Sequence, residues 1–374
     1  MMKLYFRIII ITLFPSLLFA QSKYSNDFLT IGVGARSHGL GGTQVAIVND
    51  GTAGFWNPSA MSNIQSNLQL SAMHAEIFAG IQQYDFLSFV KPLNVEKKSA
   101  LGISVIRLGI DNIPNTLNLY NTDGTSINYD KITSFSAADL AFLISYCQQL
   151  GKTNWVLGGS AKIINTVIGP FGTAWGFGLD ASVLYKKKNF SFGFVAKDIS
   201  TTFNAWKFSF SDEEKQVLQL TDNEIPVSSV EITLPRFITG VGYYVPFTKK
   251  LGLLSSIDAE INTDGQRNVL INSKSLNISP RAGIEFDYDK TLFIRAGVQN
   301  FQYYKDIETD KKALDFQPNF GVGLKIGRLR IDYALANIGK FAQIGLYSHI
   351  ISLNFDLKKK QKPVNFDPEV ELKN

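Results

Sequence analysis

The most constraining feature of this 374-residue chain is an alternation of apolar and polar side chains that repeats from about residue 67 to residue 356. The segment 276–287 is one example, because its apolar side chains fall on one face: Leu276, Ile278, Ala282, Ile284 and Phe286. Its other face carries Arg281 and Glu285, which a strand buried on both faces would not have. A period of two therefore predicts β-strands with one apolar and one polar face.

Fourteen such segments are predicted, at about 67–74, 82–91, 98–108, 134–148, 154–166, 173–185, 189–198, 236–246, 251–262, 276–287, 291–300, 319–326, 328–337 and 346–356. Their connections alternate in length. The short ones lie near 91–98, 149–153, 186–188, 247–250, 287–290 and 326–328, and the long ones at 109–133, 199–235, 263–275 and 301–318. A membrane barrel sorts its loops in this way, with tight turns at one end and large loops at the other. The sequence thus predicts an all-β fold, a 14-stranded antiparallel transmembrane β-barrel over residues 67–356.

Several charged residues fall on the polar faces of the predicted strands. A charge on the lipid face would cost about 2–4 kcal/mol near the midplane, so these residues are expected inside the barrel. The candidates for luminal ion pairs are Arg281, Glu285, Arg295, Arg330 and Asp332. A lumen lined by both positive and negative side chains is expected either to be a water-filled channel or to contain ion pairs that hold a plug.

The two ends of the chain lie outside the predicted strands and their connections. Lys3 and Arg7 precede an apolar stretch that ends near Ala20, which is typical of a signal peptide over residues 1–20. Residues 357–374 are predicted to be a charged periplasmic tail. An even number of strands places both termini on the periplasmic or luminal side. The mature chain is therefore expected to be exported and to lie in outer-membrane lipid.

The formal net charge of +5 comes largely from the lysine runs at 186–188 and 358–360. Aromatic residues do not alternate with these lysines, so no nucleic acid partner is expected. Solvated turns near an acidic lipid surface explain the runs better.

The connection 199–235 combines an aromatic run with a helix start. Ser211 followed by three acidic residues predicts a helix N-terminus. The candidate partner-binding residues are Phe203, Trp206, Phe208 and Phe210. Exposed aromatics on an outer loop would form a contact surface. The same side chains could instead fold inward over the barrel mouth, and the sequence leaves both possibilities open.

Residues 21–66 precede the first strand and are rich in glycine. The residues that stand out are Arg36, Gly39, Gly41, Gly42, Asp50, Trp56, Asn57 and Pro58. No Lys-Ser/Thr pair follows the glycines, which excludes a phosphate-binding loop. The glycines are expected to allow tight backbone turns against the barrel wall. Pro58 restricts the residue before it to extended backbone, so Asn57 marks a turn.

The run from Gly34 to Ser59 resembles the N-terminal signature of the PorV/PorQ family, and more closely that of its PorV-type members. This family is related to FadL-type barrels, whose comparable stretch ends in Asn-Pro-Ala where this chain has Asn-Pro-Ser. A second departure is Ser37-His38, where relatives carry small or apolar residues. The Phe-Ala-Gln at 19–21 resembles that of exported Bacteroidetes proteins.

The resemblance implies a 14-stranded barrel in the outer membrane of a Gram-negative, Bacteroidetes-like bacterium, with residues 21–66 as a luminal plug segment. It also implies a non-enzymatic component of the type IX secretion system. The implied partners are the C-terminal domains of secreted cargo and subunits of the translocon. The alternative is a FadL-like channel for the uptake of hydrophobic small molecules.

An enzyme is not expected. The chain has three histidines, His38, His74 and His349, which lie far apart and in no metal-spaced motif. The Gly-x-Ser-x-Gly elbow of a serine hydrolase is absent. No cofactor is expected, and the single Cys147 excludes an internal disulfide.

Overall fold

A computed structural model describes residues 25–94, 96–117, 119, 127–274, 276–305, 311–337 and 347–357. The predicted signal peptide lies outside these residues, as does the predicted tail beyond residue 357. Within the described ranges, no helix is both long and apolar enough to cross a membrane.

Fourteen strands close into an antiparallel barrel, as the sequence predicts. The first seven are β1 (Gln69–Ile77), β2 (Gln82–Asn94), β3 (Ser99–Asn115), β4 (Thr133–Gln149), β5 (Trp155–Ile168), β6 (Gly172–Lys187) and β7 (Phe190–Lys197). Two further strands, β8 (Thr202–Phe208) and β9 (Val230–Thr233), precede the second seven. These are β10 (Arg236–Pro246), β11 (Leu251–Asn262), β12 (Asn277–Tyr288), β13 (Leu292–Lys305), β14 (Lys312–Ile326), β15 (Leu329–Asn337) and β16 (Tyr347–Asp356). Pairing of β1 with β16 closes the sheet.

Polar side chains face the barrel interior and apolar side chains face outward, the reverse of a water-soluble protein. In β16, Ser352 and Asn354 are each 5% exposed, whereas Ile351 and Leu353 are 51% and 43% exposed. Exposed Ile, Leu, Val and Phe side chains recur along the strands around the barrel. An apolar exterior of this extent is stable against lipid, not water, and the barrel therefore spans a membrane.

Three strands, β3, β13 and β14, extend by five or more residues beyond their predicted ends. In β3 and β13 the register shifts between Ile110 and Ile113 and between Gln299 and Gln302. A β-bulge breaks the strict period of two, which is why the alternation stops there although the strand continues. In β14 the predicted boundary falls at Pro318, and a proline within a run normally argues against a strand.

The connections sort by length, as predicted. Those at 95–98, 150–154, 188–189, 247–250, 289–291 and 327–328 lie at one end, which we call the short-turn end. The connections at 116–132, 198–235 and 263–276 lie at the opposite, long-loop end. Two connections at the long-loop end, 78–81 and 169–171, are also short. The prediction of a long connection at 301–318 was wrong, because β13 continues to Lys305 and β14 begins at Lys312.

The connection 198–235 is more ordered than predicted. The predicted helix is present as Asp212–Leu220, and Ser211 and Glu214 form a capping box at its start. The aromatic run before it is not a loop but strand β8, which pairs with β6 and β9. The prediction missed β8 because its inner face is itself aromatic, so apolar and polar positions do not alternate.

Residues 25–66 lie inside the barrel, and we call this segment the plug. It contains two short α-helices, α1 (Ala35–Gly39) and α2 (Ala53–Trp56), and two 3₁₀ helices, Asp27–Thr30 and Pro58–Asn63; the helix in the loop is α3 (Asp212–Leu220). An apolar core joins the plug to the inner wall and includes Phe55, Trp56, Met61, Tyr84, Ile106 and Leu143. This core lies against β2, β3 and β4, whereas polar groups hold the plug to the opposite wall.

The apolar exterior predicts a position-dependent response to charge. Ile163→Arg, in the middle of β5, should lower the free energy of unfolding by about 2–4 kcal/mol, because the guanidinium would face the lipid core. Leu157→Arg is the matched control, since it lies on the same face near the short-turn end and should cost about 0–1 kcal/mol. Guanidinium titration of the barrel refolded in lipid vesicles measures both. Equal losses would contradict the orientation of this face.

Candidate functional site

Glycines let the plug backbone touch the barrel wall. A Cβ at Gly39 would lie 2.9 Å from the Cα of Gly321, and one at Gly41 would lie 2.7 Å from the backbone nitrogen of Val298. Gly41 and Gly42 also have positive φ, +63° and +77°. Any side chain at these positions would displace the plug from β13 and β14.

The Trp-Asn-Pro triplet fixes the internal path of the plug. Trp56 Nε1 donates to the Val33 carbonyl at 2.8 Å, and Asn57 Nδ2 donates to the Val45 carbonyl at 2.6 Å. Asn57 Oδ1 accepts from the backbone N–H of Ser59 at 3.1 Å and caps the 3₁₀ helix that Pro58 begins. These bonds tie together three turns of a segment that has little regular secondary structure.

A chain of alternating charges runs from the plug through the wall and back to the plug. Arg36 Nε lies 2.8 Å from Glu285 Oε2, and the same oxygen lies 2.5 Å from Arg295 Nε. Arg295 Nη1 lies 2.8 Å from Asp332 Oδ1. We call the six residues of this relay the charge chain: Arg36, Glu285, Arg295, Asp332, Arg330 and Asp50.

The charge chain ends where it began, in the plug. Arg330 Nε lies 2.8 Å from Asp332 Oδ2, and its Nη2 pairs with Asp50. Burial alone would raise the pKa of the Asp50 carboxyl, but the guanidinium groups of Arg330 and Arg36 outweigh it and hold that pKa below its usual value. Asp50 is therefore ionised at neutral pH, and both ends of the plug's polar side are anchored.

Arg281 belongs to a second polar group. It pairs with Glu260, whose other oxygen lies 3.4 Å from Arg236 Nη1. Arg236 Nη2 donates to the carbonyl of Leu29 in the plug at 3.1 Å. Next to it, Asp258 Oδ2 accepts the backbone N–H groups of Gln44 and Val45 at 2.8 and 3.0 Å. Arg236 lies at a strand start, where the alternation gave no signal for its direction.

The pairing of the wall is interrupted between β6 and the line of β7 and β8, and we call this place the wall break. Residues 197–202 lie opposite only residues 178–180 of β6, so the line of β7 and β8 forms a bulge here. The bulge stays attached to β6 through hydrogen bonds from Ile199 N–H to the Leu179 carbonyl (2.9 Å) and from Leu179 N–H to Ser200 Oγ (3.1 Å). On the other side, residues 234–235 interrupt the line of β9 and β10 at the same level. The space there, bordered by Asn26, Leu234 and Arg236, is about 30 Å³, which holds little more than one water molecule.

Buried charges line the inner side of the wall break. Lys162 Nζ lies 2.8 Å from Asp180 Oδ1 and 2.5 Å from Asp198 Oδ1. Lys197 Nζ lies 3.4 Å from Asp180 Oδ2 and donates to the carbonyl of Phe55 in the plug. The plug thus supports the interrupted strand from within.

The plug also covers the wall break at the level of β8. Asn204 Nδ2 donates to Ser25 Oγ and to Asn26 Oδ1, each at 2.8 Å. Asn26 Nδ2 in turn donates to Thr233 Oγ1 of β9 at 2.8 Å. The first residues of the plug therefore bridge the two strands that border the gap.

The aromatic run divides between the two faces of β8. Phe203 points outward and is 46% exposed, whereas Trp206 and Phe208 share the inner face with Asn204. The rings of Trp206 and Phe208 are parallel with centroids 5.4 Å apart, and Phe208 lies 6.4 Å from Phe210. Of the two possibilities left open by the sequence, the structure places three of the four rings inward.

The stack continues across the barrel mouth. The ring centroid of Phe210 lies 5.7 Å from that of Phe171 in the connection 169–171. The ring centroid of Phe171 lies 5.1 Å from that of Phe135 on β4. We call these five residues the aromatic ladder: Trp206, Phe208, Phe210, Phe171 and Phe135. It runs from the long-loop end down to Asn204 at the wall break. Phe171 and Phe135 gave no sequence signal, because the ladder forms only when β4, β5, β6 and β8 lie side by side in the sheet.

The histidines form no catalytic pair within the described residues. His38 Nε2 lies 3.2 Å from the Gly32 carbonyl, and burial lowers its pKa to about 4, although that hydrogen bond acts in the opposite sense. His74 bonds Asp85 and His349 bonds Tyr333. The described part of the chain also contains no group of three or more His, Cys, Asp or Glu side chains that could hold a metal.

The fold is similar to that of several solved structures. They include CymD, a monoaromatic hydrocarbon channel, the P. putida toluene transporter TodX, and a Pseudomonas aeruginosa FadL homologue. Their TM-scores are 0.55, 0.52 and 0.51, at 13%, 13% and 14% identity. The matches cover 88%, 88% and 87% of this chain and 99%, 99% and 98% of theirs. At this identity the likeness shows a FadL-like barrel fold.

Sequence comparison adds no further relative. No protein-family model matches the chain, and no curated protein matches it in sequence. The resemblance to the PorV/PorQ family therefore depends on the residues from Gly34 to Ser59 alone.

We expect that breaking a buried ion pair of the charge chain lowers the free energy of unfolding more than breaking an exposed ion pair. Asp332→Asn would leave Arg295 and Arg330 buried without the carboxylate between them, and should lower the free energy of unfolding by about 3–5 kcal/mol. Asp212→Asn, which breaks an exposed pair with Lys215 on α3, should cost at most about 1 kcal/mol. Denaturant titration of the two refolded variants measures the difference. A loss at position 332 no larger than at position 212 would refute a structural role for the chain.

Proposed function

We propose that this protein is an outer-membrane channel for hydrophobic small molecules, with its long loops outside the cell and its short turns in the periplasm. The observation that carries the proposal is the aromatic ladder, which leads from the outer mouth to the wall break. The fold similarity to hydrocarbon transporters supports the same substrate class. The distribution of loop lengths supports the orientation.

The route through the lumen is unsuitable for an apolar molecule. Below the ladder the interior is filled by the plug, the charge chain and the buried Lys162–Asp180 pair. Moving an apolar solute past these groups would separate ion pairs without replacing their partners. A molecule on the ladder would meet instead the wall break, beyond which lies the lipid core, its most favourable surroundings.

Passage requires the plug to move at its start. The space at the wall break is far smaller than the roughly 300–1,000 Å³ of a typical ligand pocket. Two hydrogen bonds from Asn204 and one from Asn26 keep it closed. Residues 25–30 are also held by hydrogen bonds from Arg236 to the Leu29 carbonyl and from Tyr84 to the Phe28 carbonyl, and Phe28 and Leu29 are buried. None of these contacts belongs to the charge chain, so displacing residues 25–30 would open the gap without dismantling that chain.

The ladder makes the substrate proposal testable. Trp206→Ala together with Phe208→Ala should reduce uptake of labelled toluene by at least about tenfold, because each ring supplies roughly 1.5–3 kcal/mol of apolar contact and about 1.4 kcal/mol corresponds to a factor of ten. Phe203→Ala is the matched control, since this ring lies on the outer face of the same strand. Uptake is measured in a host that lacks its own channel of this class. If both variants transport normally, or if both fail equally, the ladder is not the route.

A second function is favoured by the segment from Gly34 to Ser59, whose resemblance points to secretion. In that role the protein would bind cargo C-terminal domains and translocon subunits through its long loops. Three of the four predicted contact rings face inward, so the outer surface of 198–235 offers other apolar residues to a partner. These are Leu220, Val227 and Val230.

Deletion of the gene separates the two functions. If the secretion role holds, type IX cargo should remain inside the cell, and affinity purification from native outer membranes should recover translocon subunits or cargo. Leu220→Asp should reduce that recovery, because a charge replaces an exposed apolar contact, whereas Trp206→Ala should not. Normal secretion in the deletion strain, with no co-purifying subunit, would leave uptake as the function.

A further inference from the structure

The short-turn end of the barrel contains a polar cavity that neither proposed function uses. Its two lobes have volumes of about 450 and 210 Å³, and they share Asn49, Asn63, Lys186, Lys325 and Arg330. The charge chain and the plug close it toward the interior. It therefore opens only to the side that we assign to the periplasm.

Positive charge dominates the cavity. Of its carboxylates, Glu285 is paired with Arg36, and Asp287 lies 3.0 Å from Lys290 Nζ. Asp356 Oδ1 accepts from Gln69 Nε2 at 2.9 Å. Within the described residues, the Lys186 ammonium makes only a long hydrogen bond, 3.4 Å, to the amide oxygen of Asn63. Together with the lining residues Lys188 and Arg328, it gives the cavity an excess of cations.

Unsatisfied polar atoms line the smaller lobe. Ser66 is 3% exposed and Gln69 is 8% exposed, and neither Ser66 Oγ nor Gln69 Oε1 has a hydrogen-bond partner in the described part of the chain. Buried polar atoms normally have partners. The bond from Gln69 Nε2 to Asp356 fixes the amide orientation, which leaves Oε1 as an acceptor. A ligand for this lobe would thus supply N–H donors as well as negative charge.

The rim around the cavity is basic too. Each connection at the short-turn end carries an exposed Lys or Arg: Lys98, Lys152, Lys188, Lys250, Lys290 and Arg328. Lipid phosphates could neutralise the outward-facing rim residues. They could not reach the cavity, which lies inside the closed sheet. The cavity needs an anionic ligand that enters from the periplasm.

We propose that the periplasmic cavity binds an acidic peptide segment of a periplasmic partner protein. Carboxylate side chains would pair with Lys186 and Arg328, and backbone N–H groups would satisfy Gln69 Oε1. The combined volume falls within the range of ligand pockets, and a short extended peptide fits it. The rim would attract such a segment over a longer distance and raise its association rate. This site is independent of the proposed uptake, since it lies beyond the plug from the aromatic ladder.

The test uses the full-length barrel in nanodiscs and a fluorescein-labelled hexaglutamate peptide, with hexaglutamine as the uncharged probe. Anisotropy should show binding of hexaglutamate only. Lys186→Gln with Arg328→Gln should weaken it by at least about tenfold, because two charge-assisted contacts are lost. Lys187→Gln with Lys249→Gln is the control, since it removes the same charge from exposed residues next to the rim that do not line the cavity.

Three results would overturn the proposal. Absence of hexaglutamate binding would exclude the site. Equal weakening by the two double variants would assign the binding to the rim alone. Competition by inorganic phosphate at the same concentration as peptide carboxylate would identify a small-anion site instead. Toluene uptake should be unchanged in the cavity variant, which separates this test from that of the ladder.

Discussion

The structure depends on a chain of alternating guanidinium and carboxylate groups that starts and ends in the plug. Arg36 and Asp50 both belong to the plug, yet they are joined through Glu285, Arg295, Asp332 and Arg330 on three barrel strands. Buried ions of this kind cost several kcal/mol each unless every one is paired. The plug therefore cannot leave its place on this side without exposing unpaired charge, and the barrel cannot lose the plug without the same cost.

This constraint has a directional consequence. The plug is fixed on its polar side against β12 to β15, and on its apolar side by the core around Phe55 and Trp56. Its start, residues 25–30, has no part in the charge chain and covers the wall break. Displacing this part of the plug would open the interior at the side of the barrel rather than along its axis. The aromatic ladder ends at the same place.

The filled lumen also separates the two ends of the molecule chemically. The outer mouth presents stacked aromatic rings, while the periplasmic cavity presents lysine and arginine. No described cavity joins the two ends. Each end can thus have its own ligand, and a substitution at one end need not affect the other.

The sequence by itself determined the barrel, because alternation of side chains is a local property that each strand carries independently. Its loop lengths, the helix at Ser211 and the inward direction of Arg281, Glu285, Arg295, Arg330 and Asp332 follow from the same local rules. The errors of the sequence-based prediction have local causes as well. Bulges at Ile110 and Gln299 interrupt the alternation before the ends of β3 and β13, and the aromatic inner face of β8 removes the alternation from that strand.

Only the tertiary structure decided which groups meet. Pairing of Arg36 with Glu285 joins residues far apart in the chain, and the closing of the sheet determines that distance. The same holds for the aromatic ladder, whose rings come from β4, the connection 169–171 and β8, and for the wall break, which exists only relative to neighbouring strands. The alternation of apolar and polar residues determines which face of the sheet a side chain lies on. The register of the strands around the closed barrel determines which side chains it contacts.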